Sequence, residues 1–260
     1  MLHNKGVISS RLKLFIKRGD FLQLKIFGKG FNYSQDGPGN RLVYHLSGCN
    51  MHCPWCSNPE GMKPSGSEPP YPIKDIYNEI LSSSPMFFEG GGVTFTGGEA
   101  TLQPKPLLAL LKMLKGANIN TCIETNGTSP DLPQLFEFLD HLIIDFKHPD
   151  SIKLKRITGI GNETIKQNIL AAKNYGIDTL VRIPLIGGFN DDCPLDFAEF
   201  LKTANAKNLK VEILKYHEYG KDKWKKLGLD YKMQNAFVTD EQVIRLKEIL
   251  KSNQMNIIKT

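Results

Sequence analysis

The chain has 260 residues, of which 40% are hydrophobic and 23% are charged. These values are typical of a folded globular protein and exclude a long disordered or collagen-like chain. The formal net charge of +6 favours an acidic partner but falls short of a nucleic-acid-binding signature. Five cysteines are too few for a disulfide framework and indicate a reducing compartment.

The first 30 residues form a basic N-terminal extension in which Asp20 is the one acidic residue. A secretory signal needs an unbroken apolar stretch, and Lys13 and Lys17 interrupt this one. The composition also fits an organelle transit peptide. No uncharged apolar run in the sequence reaches the roughly 20 residues of a membrane helix. We therefore expect no membrane association and a cytoplasmic location.

From residue 31 onwards, short apolar runs that are typical of strands alternate with amphipathic runs that are typical of helices. Strands are predicted at Arg41–Leu46, Val93–Thr96, Asn120–Glu124, His141–Phe146, Thr179–Leu185, Lys210–Lys215 and Met255–Ile258. Helices are predicted at Ile73–Ser82, Pro104–Lys115, Leu132–Phe138, Glu163–Tyr175, Leu195–Ala204 and Asp240–Lys251. Asn162 is predicted to cap the helix at Glu163–Tyr175, and Pro64–Pro72 is predicted to be a linker.

This alternation predicts an α/β fold in which helices cover a parallel sheet. Six such units are fewer than the eight of a closed barrel. The sequence therefore leaves an open doubly wound sheet or a partial barrel. Both folds place the active site beyond the carboxyl ends of the strands.

Three cysteines, Cys49, Cys53 and Cys56, lie within eight residues directly after the first predicted strand. We call residues 49–56 the cysteine loop. Thiolates at this spacing suit zinc or an iron–sulfur cluster. A structural metal site uses four ligands, whereas Cys122 and Cys193 lie alone in distant segments. An open position points to a catalytic metal centre, and a zinc site closed by His45 or His52 is the alternative.

Polar or glycine-rich residues also follow the other predicted strands of the sheet. Gly97, Gly98 and Glu99 end the second strand, and glycine there lets the backbone approach a ligand closely. The later strand ends carry Glu124, Thr125, Asp145, Lys147, Arg182 and His217. Any one of these alone fits a surface charge or an ordinary loop residue. Their recurrence at successive strand ends instead predicts a shared site.

Together with the turn at Asp36–Gly39 before the first strand, these motifs resemble the radical S-adenosylmethionine (SAM) activating enzymes of glycyl radical enzymes. The resemblance is greatest to the short pyruvate formate-lyase activating type and runs from about Asp36 to the C-terminus. It implies a partial (β/α)6, TIM-like barrel of the radical SAM type over residues 31–260, with one [4Fe–4S] cluster. The implied reaction cleaves SAM reductively and removes a hydrogen atom from a backbone glycine of a partner glycyl radical enzyme.

The resemblance also implies roles for individual residues. Cys49, Cys53 and Cys56 would hold the cluster. The residues implied to contact SAM are Trp55, Ser57, Gly97, Gly98, Glu99, Asp145, Lys147, Arg182 and His217. A monovalent cation is implied at Glu124, Thr125 and Asp145, although Glu124 stands where that subgroup has aspartate. Asp36 would meet the glycine-bearing peptide, and its position in sequence just before the cysteine loop predicts that it borders the barrel's lateral opening.

The implied partners are the glycyl radical enzyme and a low-potential electron donor such as flavodoxin or ferredoxin. The resemblance implies a monomer that binds no nucleic acid. The broader activase family usually has a ferredoxin-like insert with further cysteines after the cysteine loop. Residues 57–92 contain no cysteine, so we expect no insert and no second cluster.

Two other functions stay open at this point. One is a radical SAM enzyme that acts on a small molecule, such as a queuosine-precursor carbocycle synthase. The other is a non-catalytic zinc or iron–sulfur binding module.

Overall fold

The computed structural model of the protein describes residues 22–62 and 69–258. Its sheet has nine strands in the order β3-β1-β2-β4-β5-β6-β7-β8-β9. The strands are β1 (Gln23–Tyr33), β2 (Asn40–Leu46), β3 (Pro70–Pro72), β4 (Gly92–Gly97), β5 (Thr121–Thr125), β6 (His141–Asp145), β7 (Asp178–Leu185), β8 (Leu209–Lys215) and β9 (Ile257–Ile258). Strands β2 and β4 to β9 are parallel neighbours.

Helical segments follow the six parallel strands from β2 to β8. The α-helices are α1 (Ile73–Ser83), α2 (Pro104–Gly116), α3 (Ser151–Thr158), α4 (Glu163–Tyr175), α5 (Pro194–Ala204), α6 (Lys221–Lys226) and α7 (Asp240–Ser252). Short 3-10 helices lie at Pro59–Gly61, Ser84–Met86, Ala100–Leu102 and Leu132–Phe138. The prediction of an α/β, partial (β/α)6 barrel is confirmed.

The two faces of the sheet differ sharply in chemistry. Tyr44 of β2 stacks on Phe95 of β4 with ring centroids 5.8 Å apart, and both belong to the apolar core beneath the helices. Alternate residues point the other way. On that inner face Arg182 of β7 lies in register with Glu212 of β8 and is ion-paired with it. The barrel therefore has an apolar outer layer and a charged inner lining.

Strand β1 was not predicted, and it changes the N-terminal boundary. It pairs antiparallel with β2 and crosses residue 30, where the sequence suggests the start of the barrel. Residues 1–21, the rest of the expected extension, lie outside the described residues. Only the first half of β1 shows an alternating burial pattern, so its periodicity in the sequence is weak.

The predicted linker at Pro64–Pro72 is only partly described, since residues 63–68 lie outside the described part of the chain. Its end forms strand β3, which pairs antiparallel with β1 at the edge of the sheet. The prediction of a linker is therefore wrong for Pro70–Pro72. An edge position tolerates proline because one side of the strand needs no ladder hydrogen bonds.

Helix α3 and the cap of α4 also differ from the prediction. Asp150 caps α3 by accepting hydrogen bonds from two backbone N–H groups of the first turn, but only Leu154 and Thr158 of this helix are buried. Asn162 occupies the N-cap position of α4 without a side-chain cap. Its amide instead donates to the carbonyl oxygens of His148 (2.8 Å) and Pro149 (2.7 Å). Its backbone lies outside the extended region that side-chain capping requires.

Candidate active site

The cysteine loop leaves the carboxyl end of β2. Its three cysteines are free thiols, with Cys53 buried and Cys49 and Cys56 half-buried. The loop is tied to the barrel from one side by α3, because the amide of His52 donates to the carbonyl oxygen of Thr158 (2.9 Å). It is tied from another side by the indole of Trp224 in α6, which donates to the carbonyl oxygen of Cys56 (2.8 Å).

The donor groups around the thiols suit an iron–sulfur cluster. The amide of Met51 lies 3.4 Å from the sulfur of Cys49, and the amide of Asn58 lies 3.4 Å from the sulfur of Cys56. N–H groups directed at the ligand sulfurs stabilise thiolates and help to set the potential of such clusters. Three free thiols with backbone donors fit a cluster that has three protein ligands.

Burial dominates the titration of the free thiols. It raises the pKa of the Cys53 thiol to about 12 and that of the Cys56 thiol to about 11. Coordination to a metal reverses this effect, because metal-bound thiols are deprotonated. In the described part of the chain, no three His, Cys, Asp or Glu side chains converge on one point as ligands of a single ion.

The Gly97-Gly98 turn packs directly against the start of the cysteine loop. Gly97 has a φ of +115°, a conformation that only glycine adopts readily. A Cβ on Gly98 would collide with the carbonyl oxygen of Gly48, and the amide of Glu99 donates to that same oxygen (2.7 Å). Close packing of two backbones thus explains both glycines. The predicted contact between this turn and SAM stays a prediction.

Glu99 is 1% exposed, and both oxygens of its carboxylate accept hydrogen bonds from protein donors. One oxygen accepts from the amide (2.9 Å) and the hydroxyl of Thr101 and from the hydroxyl of Thr125 (2.7 Å). The other accepts from the amide of Asn126 (2.7 Å). This carboxylate therefore joins the end of β4 to the end of β5. Its predicted role as a SAM contact stays a prediction, because these bonds already account for its buried position.

Asn126 carries this network on to the cysteine loop, and the sequence did not single it out as a site residue. Its amide donates to Asn50 (2.9 Å) and lies 3.9 Å from the sulfur of Cys49. Asn50 in turn donates to the hydroxyl of Thr128 (2.8 Å). The polar run that begins at Glu124 was the signal in the sequence that could have pointed to Asn126. The hydrogen bonds of Asn50 to Asn126 and to Thr128 span 76 and 78 residues, so the sequence does not show them.

Lys147 and Asp145 form an ion pair just beyond β6, where Lys147 is 8% exposed. Burial acts to lower the pKa of Lys147, but the Asp145 carboxylate raises it. The amide of the buried Asn190 donates to the carbonyl oxygens of Lys147 (2.7 Å) and Pro184 (2.8 Å). Lys147 is therefore a fixed positive charge beside the cysteine loop.

Arg182 lies at the centre of the charged inner lining. Its guanidinium donates to Glu212 (2.6 Å), to Glu124 and to the carbonyl oxygen of Gln35 (2.8 Å). Burial acts to lower the pKa of Arg182, but the two carboxylates raise it. One oxygen of Glu212 has no hydrogen-bond partner in the described structure. The predicted contact of Arg182 with SAM stays a prediction.

Each of the three residues assigned to a monovalent cation bonds to other side chains of the protein. Glu124 bonds to Arg182 and to Thr96 (3.2 Å). The hydroxyl of Thr125 donates to Glu99, and Asp145 pairs with Lys147. Arg182 and Thr96 each bond to a different carboxylate oxygen of Glu124. The cation stays a prediction.

The remaining predicted SAM residues lie around the cysteine loop. Trp55 is half-buried and packs on Phe189 with centroids 4.7 Å apart. Ser57, also half-buried, follows the last cysteine. His217 stacks on Tyr219 at 4.2 Å, and burial lowers the pKa of His217. All three stay predictions as SAM contacts.

Asp36 lies in the turn that precedes β2, at the amino end of that strand, whereas the cysteine loop lies at the carboxyl end. The turn reaches the inner lining of the barrel, since the carbonyl oxygen of Asp36 accepts from the Thr94 hydroxyl (2.7 Å). The predicted place of this turn at the lateral opening of the barrel stays a prediction. Burial raises the pKa of Glu124 and the nearby Asp36 carboxylate adds to this, against the charge of Arg182.

A cysteine loop at the open, carboxyl end of a partial barrel with a charged interior defines a protein that binds an iron–sulfur cluster together with a polar ligand. The family model of the radical SAM superfamily matches residues 43–201. The chain belongs to this superfamily and, within it, to the family of the pyruvate formate-lyase-activating enzymes. The family's cofactors are one [4Fe–4S] cluster and SAM.

The relatives are similar over nearly their whole length. The pyruvate formate-lyase-activating enzyme of Clostridium pasteurianum is 33% identical over 226 residues, which are 83% of this chain and 94% of that protein. The enzyme of Staphylococcus epidermidis is 33% identical over 81% of this chain and 88% of that protein.

Solved structures agree with this assignment. A crystal structure of a domain of the pyruvate formate-lyase-activating enzyme from Bacteroides vulgatus is 27% identical, with a TM-score of 0.53 over 65% of this chain and 98% of that one. Streptococcus suis SuiB bound to S-adenosylmethionine is 14% identical, with a TM-score of 0.64 over 84% of this chain and 49% of that one. The second likeness concerns the fold alone.

Proposed function

We propose that the protein activates a glycyl radical enzyme of the pyruvate formate-lyase group. The observation that carries this proposal is the set of three free cysteines at the mouth of a polar-lined partial barrel, in a chain 33% identical to activating enzymes of that group. With its cofactors bound, such a site reductively cleaves SAM and yields a radical that removes a hydrogen atom from the partner's glycine. The protein's role is to hold, orient and shield the reacting groups.

Residues at different positions in the barrel have different roles in this reaction. Cys49, Cys53 and Cys56 would hold the cluster. Lys147 supplies a buried positive charge near Cys53, placed to attract the carboxylate of SAM. The carboxylates of Asp36 and Glu124 form the inner end of the lining, where a peptide backbone could donate its N–H groups.

The proposal also includes the electron donor, the oligomeric state and the cellular location of the protein. A low-potential electron donor such as flavodoxin or ferredoxin would reduce the cluster. We further propose a monomer in the cytoplasm. In the part of the chain that the structure describes, no helix is long and apolar enough to cross a membrane. A radical SAM enzyme for a small molecule and a zinc module are not favoured by the relatives, which are activating enzymes.

We expect Lys147→Ala and His217→Ala to weaken SAM binding without changing the iron content. A lost hydrogen bond to a charged group costs about 1.5–3 kcal/mol, or roughly ten- to a hundred-fold in affinity. Equilibrium binding of SAM to the iron-loaded protein measures this loss. Lys153→Ala, which removes a largely exposed lysine on α3, serves as the control. Unchanged SAM affinity in both variants would mean that neither residue contacts SAM.

Asp36→Ala tests whether the turn at the inner lining guides the peptide. We expect it to reduce the yield of glycyl radical on the partner much more than it reduces SAM cleavage in the partner's absence. The reason is that Asp36 lies at the opposite end of β2 from the cysteine loop, so its loss should leave SAM in place. Electron paramagnetic resonance measures the first quantity and chromatography of 5′-deoxyadenosine the second. An undiminished radical yield would mean that this turn does not position the peptide.

A further inference from the structure

We propose that the lysine-rich surface of α6 is the docking site for an acidic one-electron carrier protein that reduces the cluster. This inference rests on the proposed function, since only a redox-active cluster needs such a carrier. We define the lysine surface as Lys221, Lys223, Lys225 and Lys226 of α6 together with Leu227 and Leu229, which follow it. The carrier loses one electron and the cluster gains it, so no further reactant is required.

The first observation is that α6 lies directly on the segment that carries the third cysteine. The indole of Trp224 donates to the carbonyl oxygen of Cys56 (2.8 Å). Lys223 donates to the side chain of Asn58 (2.9 Å). A Cβ on Gly220 would lie 2.6 Å from the carbonyl oxygen of Cys56, so the backbone before α6 packs closely against the loop. A protein bound to α6 is therefore separated from a cluster ligand by little more than one helix.

The second observation is the charge of this surface. Lys221 pairs with Glu218 (2.7 Å) and Lys223 with Glu60 (3.1 Å). Lys225 and Lys226 are exposed and form no ion pair among the described residues. Residues 218–232 contain five lysines and three acidic residues (Glu218, Asp222 and Asp230), a net charge of +2, of which Glu60 offsets one. The unpaired lysines give a local positive field that favours an acidic partner and speeds its encounter.

The third observation is exposed apolar area beside the lysines. The side chains of Leu227 and Leu229 are 47% and 42% exposed. Apolar contacts surrounded by charge are the usual composition of a transient interface. The glycine-bearing partner has a different requirement, because its peptide must reach the interior of the barrel. Contact with the rim of the cysteine loop is sufficient for an electron carrier, and the lysine surface offers that contact.

The test is the double charge reversal Lys225→Glu with Lys226→Glu, with flavodoxin as the carrier. The control is Lys202→Glu with Lys207→Glu, two exposed lysines that precede β8 at the amino end of the strands. Both double variants change the net charge equally. We expect the α6 variant to raise the Kd for flavodoxin about ten-fold at low ionic strength, and the control to leave it nearly unchanged. A salt concentration of about 0.5 M should bring the Kd of the α6 variant closer to that of the control, because salt screens exposed charges.

A second readout separates docking from the proposed function. SAM cleavage driven by dithionite should be unchanged in the α6 variant, whereas cleavage driven by flavodoxin should fall at subsaturating flavodoxin. Equal Kd values for the α6 variant and the parent protein would overturn the proposal. So would a loss of dithionite-driven cleavage or of glycyl radical yield under dithionite, since either would assign the surface to folding or to the glycyl partner. Absence of dithionite-driven cleavage in the parent protein would instead overturn the proposed function.

Discussion

Replacing Cys53 by alanine is expected to remove the iron–sulfur cluster and to abolish SAM cleavage. Three thiolates would hold the four-iron cluster, and loss of one would leave two of its irons without a protein ligand. The same result is expected for Cys49→Ala and Cys56→Ala. The anaerobically purified parent protein should be brown and contain about four irons per chain. Iron analysis, the visible spectrum and 5′-deoxyadenosine formation under reduction measure the effect.

Cys193→Ala is the matched control for this experiment. Cys193 is also a buried free thiol, but it lies at the start of α5, where its thiol donates to the carbonyl oxygen of Asn190 (3.3 Å). We expect this variant to keep its iron and its activity. A colourless, zinc-loaded parent protein with full activity in its assay would contradict the assignment of the cysteine loop to an iron–sulfur cluster.

Replacing Glu99 by alanine is expected to lower the free energy of unfolding by about 2–5 kcal/mol. The carboxylate accepts hydrogen bonds from two buried backbone amides and two hydroxyls. Each buried donor left without a partner costs about 1–3 kcal/mol, and the hydroxyls recover part of this by rotation. Urea denaturation of the cluster-free protein measures the change.

Two further variants make this test specific. Glu99→Gln keeps one oxygen acceptor and should cost less than Glu99→Ala. Glu137→Ala removes an exposed carboxylate and should change stability by no more than about 0.5 kcal/mol. If Glu99→Ala were as stable as the parent protein and bound SAM more weakly, the carboxylate would be a SAM contact and not a structural link.

Most of the barrel follows from the sequence because its strands are buried and regular. The predicted bounds of the six parallel strands from β2 to β8 differ from the observed bounds by at most one residue at each end. Strands β1 and β3 escaped prediction because glycine, lysine and proline interrupt their hydrophobic period. Helix α3 escaped because it is short and buries few side chains, although Asp150 and Gly159 are ordinary start and stop signals.

The active site was predictable only as far as its motifs are local. The cysteine loop and the strand-end residues could be read from spacing. The links between them join residues far apart in the chain, such as Asn190 to Lys147 and Asn126 to Asn50. The contact of the Asp36 carbonyl with Thr94 of β4 also joins distant segments. These features depend on packing between segments that are far apart in the chain, and the order of the residues does not show which distant segments meet.

The most direct test of the proposed function is electron paramagnetic resonance of the reduced protein with SAM and a pyruvate formate-lyase-type partner. The proposal predicts a glycine-centred doublet on the partner, formed only when the cluster, SAM and the reductant are all present. The Cys53→Ala variant should give no doublet under the same conditions. Vigorous SAM cleavage without a doublet on any glycyl radical enzyme tested would contradict the proposal and point to a small-molecule substrate.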